Sequence, residues 1–313
     1  VIIKFEEEDY MIFKRDIRDG DQFLKEKGYK RPLFIIAHYD DELNYAGLIT
    51  RLGPNTHITW LTNGDGLYFE MKIAPSEYAE IRKREAINAA KAVRISEENL
   101  KFLGFSEVEI YKRFAELYKN PQSIRTHIKF FEEIKESVKG CVFDYEPDVV
   151  ITDAYQGGHI EHDLTHFFAF CAIRDYERER NKRIDFIHLP EYEYTILLAM
   201  RFHPLYKGVR YRIYLTPEEL EAKKRVIEAY PSQKRLFSEF EKLFTYIGYI
   251  GRLTGGPRNA YEYLSIEEFG PVGHIDYAKK PHISDYLTYM FDDFEGTPVT
   301  FSRSLLPVIR AFI

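Results

Sequence analysis

The feature that most limits how this chain can fold is an alternation. Short apolar runs, "PLFIIAH" (32–38), "HITWLTN" (57–63), "NLKFLGF" (99–105) and "PDVVITD" (147–153), trade places with segments of helical period. "SEYAEIRKREAINAAKAV" (76–93) and "SIRTHIKFFEEIKESV" (123–138) carry apolar residues near every third or fourth position. Strand and helix in turn imply a parallel sheet with helices on both faces, an α/β fold. Ligands of such sheets gather at the carboxyl ends of the strands. Here those ends are polar: His38 to Glu42, Thr62 to Asp65, and Asp153 onward.

Further along, "VRYRIYL" (209–215) reads as another strand, and a helix starts at Thr216 or Pro217, with Thr as N-cap and Pro in the first turn. From about Ile247 the chain is rich in Gly, Tyr and Phe without clear periodicity. The expected organisation is an α/β unit over 1–246 and a C-terminal extension, 247–313, packed on it.

Composition bounds the function. Among 313 residues, 45% are hydrophobic and 30% charged, which suits a globular core. A net charge of −6 offers no general attraction to nucleic acid or anionic membrane. The apolar stretch near "YTILLAM" (194–200) is far too short to span a bilayer, and no basic-then-apolar signal opens the chain. Cys141 and Cys171 show no CxxC spacing, which fits a reducing cytoplasm, the expected location. No P-loop, G-x-G-x-x-G or G-x-S-x-G pattern occurs, so nucleotide-cofactor and serine-hydrolase readings fall away.

What remains is chemistry at the strand ends. After the first run come His38, Asp40, Asp41 and Glu42, where neighbouring carboxylates repel unless a cation sits among them. After "PDVVITD" comes "DAYQGGHIEHDLTH" (153–166), with His159, Glu161, His162, Asp163 and His166. His38, one of the aspartates and one histidine of the second cluster form a two-His, one-carboxylate set that leaves coordination positions open, as a catalytic metal needs. Zinc is the default with N and O ligands; Fe2+ or another divalent metal uses similar sets. His166 is a rival ligand, and Asp153 and Tyr155 are candidates to orient ligands from behind.

Five ordered motifs carry a resemblance. "AHYDDE" is similar to the AHPDDE signature of the PIG-L/LmbE family of zinc-dependent de-N-acetylases, "WLTNGDG" (60–66) to its TDGD-like turn, and "RKRE...AA" (82–90) to its R-x-x-E helix. "GGHIEHD" (157–163) resembles its HPDH motif, and "AYPSQ" (229–233) its later SQ pair. The resemblance implies a Rossmann-like fold, zinc held by His38, Asp41 and His162, and Asp40 as general base. It implies that His159 stabilises the oxyanion or acts as acid, and that Arg82 reaches substrate hydroxyls or a phosphate.

Three positions depart from the pattern. Tyr39 stands for the usual Pro and is expected at the pocket mouth, while Ile160 and Glu161 replace Pro and Asp. Glu161 is expected to orient the neighbouring histidine from one methylene farther. Asn63, at the end of the second run, is a candidate to line the pocket. The function implied is removal of an N-acyl group, acetyl above all, from an amino-sugar conjugate; the alternatives are another amide, or a non-catalytic metal- or sugar-binding module. The expected partner is a small-molecule glycoconjugate, with no nucleic acid, no membrane span and an oligomeric state left open.

Overall fold

A computed structural model describes residues 17–313 except 194–197, 204–205, 236, 240–241, 243–244, 247–258 and 282–287. The first half alternates as expected: β1 (Ile17–Asp19), α1 (Gly20–Lys27), β2 (Pro32–Ile36), α2 (Ala46–Leu52), β3 (His57–Thr62), α3 (Tyr68–Met71), α4 (Pro75–Ala92) and β4 (Leu100–Phe105). Then come α5 (Glu107–Lys119), α6 (Ile124–Tyr145), β5 (Val149–Asp153), α7 (Ile160–Arg180) and β6 (Asp185–Leu189). A short hairpin, β7 (Tyr192–Glu193) with β8 (Leu198–Ala199), precedes β9 (Arg210–Tyr214) and α8 (Pro217–Glu228). The last part holds α9 (Ala260–Leu264), β10 (Ile266–Pro271), the strand pair β11 (Asp293–Phe294) and β12 (Thr297–Pro298), and α10 (Leu306–Phe312).

The main sheet has the order β1-β9-β10-β6-β5-β2-β3-β4, with β10 antiparallel to both neighbours and every other pair parallel. Strand β2 is the first of the parallel run, and the chain moves outward from it to β3 and β4 on one side and to β5 and β6 on the other. The direction of winding therefore reverses between β2 and β5, which opens a crevice beyond their carboxyl ends. Phe34 lies beside Ile151 and Ile35 beside Thr152, so the loops after the two strands leave side by side.

Period-two alternation along β2 feeds two cores. Leu33 and Ile35 pack with Phe131, Phe167 and Ile309 on one face, while Phe34 and Ile36 pack with Trp60, Ala86 and Val226 on the other. Thr216 caps α8 as expected: its Oγ1 accepts from the Glu219 amide at 3.2 Å, and Glu219 returns a carboxylate to the Thr216 amide at 2.8 Å.

The segment beyond 247 does more than pack on the domain, because it supplies β10 to the middle of the sheet. Its sequence, "IEEFGP", hides the strand behind two buried acids. Each is compensated. Glu267 meets Lys223 Nζ at 3.0 Å and accepts the amides of Gly47 and Leu48 at the start of α2, while Glu268 meets Arg212 at 2.6 Å. Among the described residues, no helix is long and apolar enough to cross a membrane.

Candidate active site

The loops after β2 and β5 bring their histidines and acids together at the crevice. His38 Nδ1 lies 3.0 Å from His162 Nε2, and each of these nitrogens is 3.4 Å from Asp41 Oδ2. Two imidazole nitrogens and a carboxylate oxygen that face one another this closely share one focus. Ligands of a tetrahedral ion with bonds of about 2.0–2.1 Å stand roughly 3.3 Å apart, so the donor set fits a divalent metal in both chemistry and spacing. Asp153, also buried, belongs to a further group with Asp41 and His162, and its Oδ1 has no hydrogen-bond partner.

Charge follows from this packing. Burial opposes charge on His38 and His162, yet Asp41 beside them raises the pKa of both, His38 well above the usual histidine range. Burial likewise works against the Asp41 carboxylate, but His162 and His38 outweigh it and hold its pKa below the ordinary range. Asp40 behaves differently. Burial lifts it to about 6, with the Arg82 guanidinium opposing and Asp41 adding to the rise.

Asp40 sits on strained backbone, at a φ of 119°, a region that favours glycine. Its Oδ2 is 3.0 Å from Arg82 Nη2, and its amide donates to Glu42 Oε2 at 3.2 Å. Arg82 comes from α4, is only 3% exposed, donates to the Tyr39 carbonyl and has Tyr230's ring 4.9 Å from its guanidinium carbon. It lines the cavity, but much of its hydrogen-bonding is directed at Asp40 and Tyr39.

His159 is the N-cap of α7, its Nδ1 accepting the Glu161 amide at 3.4 Å. The neutral ring then carries its proton on Nε2. Burial, with His38 and His162 nearby, pushes its pKa well below the usual value, so it is a hydrogen-bond donor rather than a standing acid.

Glu161 reaches a different histidine from the one expected. Its Oε2 meets His38 Nε2 at 2.8 Å, whereas His159 Nδ1 is 4.0 Å away. The extra methylene carries the carboxylate past its neighbour to His38 on the other loop. With Nδ1 turned to His162 and Asp41, His38 presents its Nε2–H to Glu161, an arrangement that would fix the tautomer of a metal-bound imidazole.

Other expectations need correcting. Tyr39 is not at the pocket mouth: it is 1% exposed, its ring set edge-on to Trp60 and Phe102 at 5.8 and 5.4 Å, because the apolar run of β2 continues one residue past His38. Asn63 is spent within its own turn, donating to Asp65 Oδ2 at 3.2 Å and accepting the Asp65 amide, and does not line the cavity. His166 does not join the His38, Asp41 and His162 cluster: its ring nitrogens face the Asp153 carbonyl and the Tyr277 hydroxyl. Tyr155 donates to the Tyr277 carbonyl rather than to any ligand.

The cavity that receives these groups has a volume of about 320 Å³. Its lining includes His38, Asp40, Asp41, Arg82, His159 and Glu161, and also Glu107, Tyr192 and Phe291, which sequence reasoning missed. Glu107 follows the carboxyl end of β4, so the strand-end rule could have flagged it; its carboxylate accepts from Thr62 Oγ1 at 2.8 Å and the Gly66 amide at 3.0 Å. Phe291 arrives from the extension, 41% exposed, its ring 5.6 Å from that of His159. No periodic pattern signals it. The Met290 amide, donating to the Gly158 carbonyl at 2.8 Å, and the Tyr289 hydroxyl, donating to Asp163 at 2.9 Å, tie the extension to the second histidine loop.

Residues 33–173 match the family profile described as PIG-L, GlcNAc-PI de-N-acetylase. Over that segment the chain is similar to the PIG-L family. That match spans both loops of the site, from β2 through most of α7. Similar solved structures include a deacetylase of the teicoplanin biosynthesis pathway in complex with bog, at a TM-score of 0.57 and 19% identity over 79% of this chain and 99% of that one. The zinc-inhibited form of teicoplanin deacetylase Orf2 aligns at 0.51 and 15%, over 79% and 99%. N,N'-diacetylchitobiose deacetylase from Pyrococcus horikoshii, complexed with its inhibitor MPG, aligns at 0.51 and 16%, over 83% and 88%. At these identities the likeness is one of fold, and it extends beyond the PIG-L segment to most of the chain. No curated protein matches the sequence.

Proposed function

We propose that the protein is a metal-dependent hydrolase that removes an N-acyl group from an amino-sugar conjugate, with His38, Asp41 and His162 holding the ion and Asp40 acting as general base. Zinc is the ion best suited to the donor set, and acetyl is the acyl group named in the matched family's own description. When bound, such an ion supplies Lewis acidity, polarising a carbonyl and lowering the pKa of water to about 7.

The observation that carries this reading is the position of Asp40. It stands next in sequence to a ligand, lines the cavity and has Arg82 rather than a ligand nitrogen as its ion partner. With its pKa lifted to about 6, it is ionised at neutral pH yet basic enough to take a proton from water, a contribution of roughly 10²–10⁴-fold. The same proton, once on Asp40, can pass to the departing amine. His159 donates from Nε2 to the oxyanion of the tetrahedral intermediate. Arg82 keeps Asp40 in place, and Glu161 fixes the His38 ring. A metal-storage or sugar-binding module needs no such carboxylate, which disfavours the non-catalytic alternative.

The test is release of carboxylate from a panel of N-acylglucosamine conjugates, acetyl included, by zinc-loaded protein. Release that tracks metal content supports the reading; silence across the panel with zinc bound contradicts it.

A further inference from the structure

The catalytic groups stand at a divide between two cavities. On one side is the cavity described above, of mixed lining and holding most of the site's charged and imidazole groups; on the other lies a larger one of about 690 Å³. Asp40, Asp41 and Tyr192 line both, so the place where an amide carbonyl would meet the metal ligands opens in two directions. The two walls differ in chemistry. His38, Arg82, Glu107, His159 and Glu161 belong to the smaller cavity alone. The larger one is walled by Leu43, Met200, Ile227, Tyr230, Phe237 and Leu264; Lys224, Glu228 and Ser238 line it as well, and Asn44 and Glu191 among its lining are bonded to each other. Exposed Tyr261 and Lys234 line it too, so it reaches the surface.

An amide substrate has two halves, one on each side of its carbonyl carbon. The sugar half, with its hydroxyls, suits the smaller cavity, where Arg82, Glu107, His159 and Glu161 offer hydrogen-bond partners that the Leu43, Ile227, Phe237 and Leu264 wall does not. The acyl half then points the other way. An aglycone, attached on the sugar side of the amide nitrogen, does not lead across the divide. The larger cavity falls within the range of pockets that enclose drug-sized ligands, about 300–1,000 Å³, and a single methyl group would leave it almost empty. We infer that the cavity between α8, α9 and the loop after β2 seats the substrate's acyl group, and that this group is an extended apolar chain several methylenes longer than acetyl. The inference rests on the hydrolase reading above and names its acyl class.

The test compares kcat/KM of the zinc-loaded full chain on straight-chain N-acyl glucosamines from acetyl to decanoyl. Burial of each methylene is worth about fourfold, so kcat/KM is expected to climb at about that rate over the first several carbons. Ala260→Phe and, independently, Ile227→Trp place bulk in the cavity and are expected to lower the decanoyl-to-acetyl ratio at least tenfold. Acetyl turnover with no gain along the series overturns the chain seat and leaves the hydrolase reading intact. A gain only when the chain is moved to the glycosidic oxygen, as in octyl N-acetylglucosaminide, assigns the cavity to an aglycone and also overturns it. If no amide is cleaved with zinc bound, the hydrolase reading fails, and calorimetric titration with acetate, octanoate and decanoate decides on the seat: affinity that rises with length upholds it, and equal or absent binding overturns it.

Discussion

Replacing Glu161 with Gln tests whether the departure from the family acid has been put to use at the metal centre. Its Oε2 lies 2.8 Å from His38 Nε2, the carboxylate is 1% exposed, and its other oxygen has no hydrogen-bond partner. His38 is therefore the group on which this side chain acts. A hydrogen bond to a charged group is worth about 1.5–3 kcal/mol and a neutral one about 1 kcal/mol, so the amide should cost the ligand about 1–2 kcal/mol of support. That corresponds to a roughly 5–30-fold loss of metal affinity, in line with the 10–100-fold effects seen when such outer partners are removed. Glu161→Asp, which withdraws the carboxylate by one methylene, should lose affinity to a similar degree. The assay is zinc competition against a chromophoric chelator at pH 8, above the value of about 7 to which burial lifts Glu161, with circular dichroism to verify the fold. A folded Glu161→Gln protein that binds zinc within twofold of the parent would refute the role assigned to this bond.

Other expectations follow from the same geometry. His162→Ala removes one of three ligands and should lower bound metal to a small fraction of one equivalent, measured by plasma emission on dialysed protein; full occupancy would move the ion elsewhere. Arg82→Met leaves the partly buried Asp40 without its ion partner and removes a guanidinium that is itself 3% exposed, and should destabilise the fold by about 3 kcal/mol in urea unfolding, whereas a loss below 1 kcal/mol would make Arg82 dispensable to packing. His166, fully buried, has its pKa pushed down to about 4 by burial, against about 6.5 unfolded, so its contribution is complete above pH 6.5 and is lost as pH falls towards 4. The loss amounts to about 3 kcal/mol, and His166→Gln should flatten the pH dependence of the urea midpoint by about one proton; an unchanged slope would contradict the assignment.

How much of this was legible beforehand depended on whether neighbours in space were also marked in sequence. Strands β2, β3, β4 and β5 are apolar runs that stop in polar residues, and His38, Asp41 and His162 sit at the two ends that the reversal of winding brings together. Strand β10 escaped notice because Glu267 and Glu268 break its apolar character, and only Lys223 and Arg212, distant in sequence, explain how they are buried. Tyr39 read as a pocket residue by its place in the motif, but its ring follows the packing of β2 into the Trp60 side of the core. Glu161 looked like a slightly long aspartate; that length redirected it to His38. Phe291 could not have been found, since what places it is the tie between Met290 and Gly158 across more than a hundred residues.

The central claim is that Asp40 moves the proton while its neighbours hold the metal. The most direct measurement is carboxylate release by zinc-loaded Asp40→Asn protein beside the parent, with bound zinc quantified in both. Turnover reduced roughly 10²–10⁴-fold at unchanged zinc content is the expected result. Equal turnover in the two proteins, or loss of zinc along with activity, would contradict the division of labour between base and ligands.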